Sequence, residues 1–227
     1  MLMNTKNMIL SESGLLTTIG FAVKGSVDYC FEGSVFTGGA VVKWLRDNLR
    51  LITSAGETEQ MAYSVEDTEG VYIVPAFSGL GAPYWDMYAR GIMVGLTGKT
   101  RREHIVRAAL EAIAYQVKDV LNIMEREGGS INLLKIDGGA SANNFLLQFQ
   151  SDILDKKILR PRVLETTALG VSFISGLGAG IYSGLEELKK LYSVNKVFSS
   201  SITQEHRDRL YRGWLRAVER AKGWENN

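Results

Sequence analysis

Hydrophobic and polar positions change period several times along this chain, and each change marks an element. Leu15 to Val23 is rich in β-forming residues, and Val27 to Phe31 alternates again after a turn at Lys24-Gly25-Ser26, as a hairpin does. Gly38-Gly39 opens a helix that runs through Trp44 and Leu45 to about Leu51. Val71 to Pro75 reads as a short buried strand and Gly91 to Leu96 as another. Between them, Ala76 to Arg90 is irregular, dense in glycine and carries Phe77, Tyr84, Trp85 and Tyr88; a loop of that length inside a compact domain is either functional or disordered, and the aromatics argue against disorder. The strongest helix is Arg101 to Glu127, where Ile105, Ala108, Ala109, Ala112, Ile113, Gln116, Val120 and Ile123 follow a 3.6-residue period. Gly128-Gly129 stops it.

Leu134-Lys-Ile-Asp-Gly-Gly-Ala-Ser-Ala-Asn-Asn-Phe-Leu-Leu-Gln148 then passes from an apolar run through a glycine pair into an apolar-periodic segment, the pattern of strand, tight turn and helix start. Two glycines let a ligand approach the backbone, because no Cβ intervenes. A helix start offers N–H groups and a positive dipole end that suit phosphate. The stretch reads equally as a nucleotide cradle and as a plain β-turn-α connection. Lys157 to Arg160 is a small strand ended by Pro161, and Thr167 is placed to cap a glycine-dotted apolar helix to about Ala179. Leu185 to Leu191 is a short helix charged on one side, and Gln204 to about Trp224 a last helix with Leu210, Trp214, Val218 and Ala221 on its core face. Hairpins followed by βα units predict an α/β fold, a mixed sheet with flanking helices; a ribonuclease H-like domain, as in the actin-like ATPases, has this type of layout.

Composition narrows this little. A chain of 227 residues with 45% hydrophobic and 22% charged residues builds an ordinary core. A net charge of +1 gives no reason to expect nucleic acid or an anionic membrane as partner. Cys30 is the single cysteine, so no internal disulfide forms, and His104 and His206 are the only histidines, which leaves zinc little to draw on. No window reaches the roughly 18 apolar residues of a membrane span; Leu169 to Ile181 comes nearest, but it is short and glycine-rich and reads as a buried helix. Met1 to Leu10 lacks a signal-peptide core. A reducing, cytoplasmic setting is expected.

Gly91-Ile-Met-Val-Gly-Leu96, seven residues, then His104-Ile-Val-Arg-Ala-Ala-Leu-Glu111 resembles the second signature of the FGGY family of carbohydrate kinases. Val74-Pro-Ala-Phe-Ser-Gly-Leu-Gly-Ala-Pro-Tyr-Trp-Asp86 followed by Tyr88-Ala-Arg-Gly91 is similar to the version of the loop in members that phosphorylate glycerol, and Asp137-Gly-Gly-Ala-Ser-Ala-Asn143 to the superfamily's adenosine motif. The match runs from Met1 to about Trp224 and makes residues 1–227 one FGGY-type C-terminal ATPase domain, with the N-terminal domain absent from the chain. The resemblance implies an actin-like ATPase with ATP in the cleft between two domains, and Mg2+-ATP-dependent transfer of the γ-phosphoryl group to glycerol, giving sn-glycerol 3-phosphate. It carries nucleotide contacts onto Gly39, Gly139 and Asn143. Lys43 departs from the family's usual glutamine; it either reaches a phosphate or extends into solvent. The resemblance puts the polyol pocket and the catalytic base on the N-terminal domain, so glycerol binds only with that domain, and the chain alone holds nucleotide (ATP or ADP) without efficient transfer. It is compatible with a homo-oligomer, for which no single motif speaks.

Two other readings stand beside it: a non-catalytic nucleotide-binding or assembly module, and an FGGY kinase for another polyol. No substitute active site emerges. Gly98-Lys99-Thr100 resembles the end of a Walker loop, but Met93 stands where the earlier glycine is required. Asp86 reads as structural, Asp137 as a partner of the Gly-Gly turn or of magnesium-bound water, and Glu111 as an internal hydrogen-bond acceptor. His104 has no nucleophile at a triad spacing.

Overall fold

The computed structural model describes residues 1–23 and 25–225; Lys24, first residue of the expected turn, lies outside them. Strands β1 (Leu2–Lys6), β2 (Leu16–Val23) and β3 (Ser26–Glu32) form an antiparallel sheet in the order β1-β3-β2. The β2–β3 hairpin agrees with the alternation, whereas β1 was not legible, because its burial alternates only between exposed and half-buried. Helices α1 (Ala40–Asp47) and α2 (Glu57–Tyr63) follow, then the antiparallel pair β4 (Tyr72–Val74) and β5 (Ile92–Val94). Helix α3 (Arg102–Gly128) leads to β6 (Leu133–Lys135), a 3-10 turn (Gly139–Ala142), α4 (Asn144–Leu154) and β7 (Lys157–Pro161). The chain continues through α5 (Thr166–Gly178), α6 (Leu185–Leu191), β8 (Val194–Phe198) and α7 (Gln204–Ala221). β6 and β7 are parallel and β8 joins β7 antiparallel, so the second three-stranded sheet is mixed. The expected α/β class holds; the ladder is divided into separate sheets rather than running through one.

Helix α3 is the axis of the molecule. It ends at Gly129, whose φ of 90° is one that glycine adopts without a Cβ clash. Its predicted stripe is buried except for half-buried Ile105, and burial extends well beyond that stripe, to Val106, Leu110, Tyr115, Leu121 and Met124. Tyr115 and Leu121 enter the main core with α4, α7 and β4; Val120, Ile123 and Met124 enter a smaller core with Phe31 of β3 and Leu15. Tyr115 stacks on Trp214 of α7, with ring centroids 5.4 Å apart and planes 15° apart. The core face assigned to α7 agrees with the packing, since Trp214, Val218 and Ala221 are fully buried.

Two expectations are corrected. The apolar stretch from Leu169 to Ile181 is not a buried helix: α5 carries exposed Val171 and Ile174, with Ile181 exposed beyond it, and Gly176 is its one buried residue. Glycines interrupt its apolar side, so no continuous ridge is available to pack. Nor does Thr167 cap it; Glu165 precedes the first turn and makes no side-chain cap bond. Among the described residues, no helix is long and apolar enough to cross a membrane.

Candidate functional site

The glycine pair lies where β6 has ended. Gly138 takes φ 78° and donates its N–H to the Leu164 carbonyl at 2.9 Å, turning the chain into the 3-10 segment. Arg160 of β7 braces that segment from below, donating to the carbonyls of Ser141 (2.9 Å) and Ala142 (3.1 Å) and to Asn144 Oδ1 (3.1 Å). Asn143 then begins α4, its Oδ1 accepting the Leu146 N–H at 2.9 Å, a conventional N-cap. Its Nδ2 donates to Thr58 Oγ1 at 3.0 Å, which ties α4 to α2.

One expectation about this turn fails. The start of α4 is not free for phosphate, because Glu59 of α2 already fills it: the Asn144 backbone N–H donates to Glu59 Oε2 (2.5 Å) and Asn144 Nδ2 to Glu59 Oε1 (3.0 Å). A carboxylate on these donors satisfies the same dipole that would have drawn a phosphate. The start of α1 differs. Gly39 stands at its N-cap with no side-chain cap bond, and the first turn contains no acid. Gly39 packs against the 3-10 turn: a Cβ on it would lie 3.7 Å from the Ala140 Cβ.

Between α1, α2, the 3-10 turn and α4 lies a cavity of about 360 Å³. Gly39, Lys43, Gly139 and Asn143 all line it, so the structure gathers the four residues singled out in the sequence, from two segments some hundred residues apart. Sequence reasoning missed Arg46, Thr58 and Glu59 on its wall and Leu110 and Leu146 on its floor. Arg46 is one helical turn after Lys43 and could have been found by spacing; Thr58 and Glu59 sit on a short polar helix that carries no motif. The floor is apolar, and the α1 side of the rim carries Lys43 and an Arg46 whose guanidinium is paired with Asp47, which suits a flat heterocycle and its sugar better than a bare phosphate chain.

The remaining polar candidates have structural partners. Glu111 is buried and accepts from Arg107 Nε (2.9 Å) and the Tyr115 hydroxyl (3.3 Å); burial pushes its carboxyl up to about 6, against the pull of Arg107. Arg107 also donates to the carbonyls of Ala62 and Val65 at the end of α2. His104 Nδ1 accepts the Arg101 amide at 3.0 Å, closing the first turn of α3. Asp86 accepts from the amides of Tyr88, Ala89 and Gly223; burial alone would raise it, but those N–H groups hold it below the usual carboxylate range. It thereby pins the aromatic loop, whose Leu80 and Asp86 also pair through their backbones and whose Trp85 Nε1 reaches the Gly14 carbonyl at 2.9 Å. Asp137 is exposed, and among the described residues its carboxylate makes no bond to the glycine turn, so that half of the expectation is not met. Gly98-Lys99-Thr100 is a turn in which Thr100 Oγ1 accepts the Thr97 N–H.

The sequence pattern of the FGGY family of carbohydrate kinases, C-terminal domain, matches residues 1–179. The glycerol kinase of Thermoanaerobacter sp. strain X514 is 56% identical over 226 residues, which are 99% of this chain and 46% of that protein. That of Clostridium perfringens strain 13 is 55% identical, over 99% of this chain and 45% of its own length. The chain thus spans a little under half the length of the curated relatives it matches. Among solved structures, Plasmodium falciparum glycerol kinase with ADP superposes with a TM-score of 0.89 at 37% identity, covering 97% of this chain and 44% of that one. Xylulose kinase of Lactobacillus acidophilus, at 20% identity and a TM-score of 0.80, shares the fold.

Proposed function

Because this chain belongs to the FGGY family of carbohydrate kinases, we propose that it is the nucleotide-binding C-terminal domain of a glycerol kinase, and that residues 1–227 work with a second domain to phosphorylate glycerol from Mg2+-ATP. The observation that carries this reading is the single cavity on which Gly39, Lys43, Gly139 and Asn143 converge. In it, the base and ribose lie over Leu110 and Leu146, against the open backbone of Gly139. Asn143 keeps the wall in place and presents an amide edge. The phosphates extend toward the start of α1, where the dipole is uncapped and Lys43 and Arg46 follow on the same helix. Magnesium enters on the phosphates; among the described residues no three His, Cys, Asp or Glu side chains gather to hold it. Phosphoryl transfer is largely positioning and charge stabilisation between two surfaces, and this chain supplies the nucleotide's surface. The acceptor pocket and base belong to the other domain. The cytoplasm, where ATP is abundant, is the setting this reading requires.

Gly139 offers a clean test. A Cβ there would meet nothing within 4 Å, and its φ is not in the left-handed region, so Gly139→Leu should fold normally while filling the cavity. Calorimetric titration with ADP is expected to show one site in the native chain and affinity reduced at least about tenfold, or ~1.4 kcal/mol, in the variant. Unchanged affinity would place the nucleotide elsewhere. Glycerol-dependent ADP release should be absent from the chain alone. Turnover that disappears in a parallel Asn143→Asp preparation would show that a complete site assembles from this chain.

One observation also favours a module that works only when covered. Leu2 and Leu16 on one face of the first sheet and Val171 and Ile174 on α5 are all exposed, and apolar faces of this kind mark interaction surfaces. A homo-oligomer or the second domain would cover them, and sedimentation of the chain across a concentration series separates self-association from a face that stays open.

A further inference from the structure

Another cavity, of about 240 Å³, opens where the start of β4 and the end of β5, side by side, meet α7. Its walls are Gly70 and Gly95 on the strand side, Tyr72 at the base, and Gly213, Arg216 and Arg220 of α7. It shares no lining residue with the nucleotide cavity. We propose that this pocket binds a small phosphate-bearing molecule, a phosphomonoester, through Arg216 and Arg220.

The argument begins with charge. Arg216 and Arg220 are one helical turn apart, so their side chains leave the same face of α7, where like charges repel and destabilise the helix. No carboxylate lines the pocket, and neither arginine takes part in any ion pair among the described residues. Neither acid beside the pocket relieves them: Glu219 of α7 pairs with Lys222, and exposed Glu69, in the turn just before β4, pairs with neither arginine among the described residues. Among the described residues, the one side-chain bond either makes is from Arg220 Nη1 to the Arg216 carbonyl, at 2.7 Å, which neutralises no charge. A phosphomonoester carries close to two negative charges and three acceptor oxygens. It can take the planar fork of one guanidinium and still accept from the other, whereas a carboxylate is satisfied by one.

Shape points the same way. The pocket is narrowed by close backbone approach rather than left open between side chains. A Cβ at Gly213 would lie 2.2 Å from the Tyr72 hydroxyl, and one at Gly95 would lie 2.1 Å from the Gly70 carbonyl oxygen. The Tyr72 hydroxyl is itself committed, donating to the Leu210 carbonyl at 3.1 Å, so its ring forms a fixed base. The volume is below that of most drug-sized sites and suits a phosphorylated small molecule. Arg209 and Arg212 continue the basic face of α7 outside the pocket, which raises nucleic acid as a rival. A net charge of +1 over the whole chain favours the small anion.

The test reads the arginines directly. The Nε–Hε resonances of the chain would be recorded by NMR during titration with inorganic phosphate, then with methyl phosphate, each against sodium chloride at matched ionic strength. Saturating shifts at Arg216 and Arg220 are expected, with methyl phosphate the tighter. In R216Q/R220Q the affinity, followed at the Gly95 amide, should fall at least tenfold. In R209Q/R212Q, which removes the same charge from the same helix, it should be unchanged. Both pairs are exposed, and circular dichroism would confirm that both variants fold. Shifts reproduced by chloride, or abolished equally by both double variants, would overturn the proposal in favour of general screening. A short DNA duplex that binds more tightly than methyl phosphate and depends on Arg209 and Arg212 would overturn it in favour of a nucleic-acid face.

Discussion

Trp214→Ala should lower the unfolding free energy by about 3–5 kcal/mol, the range for removing a fully enclosed large aromatic. Trp214 is completely buried, stacks on Tyr115 and donates its indole N–H to Asp119 Oδ2 at 2.8 Å. The substitution therefore opens a cavity between α3 and α7 and also strips a buried carboxylate of a donor. Trp214→Phe separates the two losses. It keeps most of the aromatic volume, and its cost should be smaller, about 1–3 kcal/mol, the range for a buried polar group left without its partner. Chemical denaturation followed by circular dichroism measures both. A loss below about 1 kcal/mol for Trp214→Ala would mean that α7 is not anchored by this contact. The effect reaches the candidate site, because the helix against which Trp214 packs also supplies Leu110 to the cavity floor.

Asp119→Asn should change the pH dependence of stability more than its value at any one pH. Asp119 is 3% exposed and accepts from the Tyr211 hydroxyl (2.6 Å) and Trp214 Nε1 (2.8 Å). Burial pushes its carboxyl from 3.8 up to about 6, even though these donors pull the other way. The folded protein thus holds a proton that the unfolded chain releases earlier. This contribution to stability is complete below the unfolded value and is lost as pH rises through about 6. A rise of about two units corresponds to ~3 kcal/mol. Stability of the native chain relative to Asp119→Asn should therefore fall by about that amount between pH 3.5 and 7. Glu111 titrates in the same direction but is common to both proteins and cancels in the difference. A flat difference across that interval would show that Asp119 is already charged in the folded state.

The core face of α7 was legible because it meets one packed surface, so its period survives in the sequence. The α3 stripe showed only part of a helix that is buried into two cores, and its other buried positions were not singled out. Helix α2 did not show itself because Glu57 to Tyr63 is short and mostly polar; it is held by Arg107 at its end and by Thr58 and Glu59 at α4. Strand β8 was hidden because four of its five residues are exposed. The apolar composition of α5 was visible, but composition does not say whether a partner surface exists. At the site, Gly39, Gly139 and Asn143 were found through a motif, and Lys43 by its departure from one. Glu59 could not be found, since a carboxylate that blocks one helix start leaves no trace in the spacing of the glycines it sits beside.

The Asn143–Thr58 and Asn144–Glu59 bonds have a kinetic consequence. They latch α2 to α4 across the wall of the cavity. On the proposed function, the wall against which a nucleotide would lie is thereby fixed by the chain's own side chains, and little side-chain ordering remains to oppose binding. On the proposed reading, nucleotide capture by this domain is governed by encounter rather than by a slow opening step.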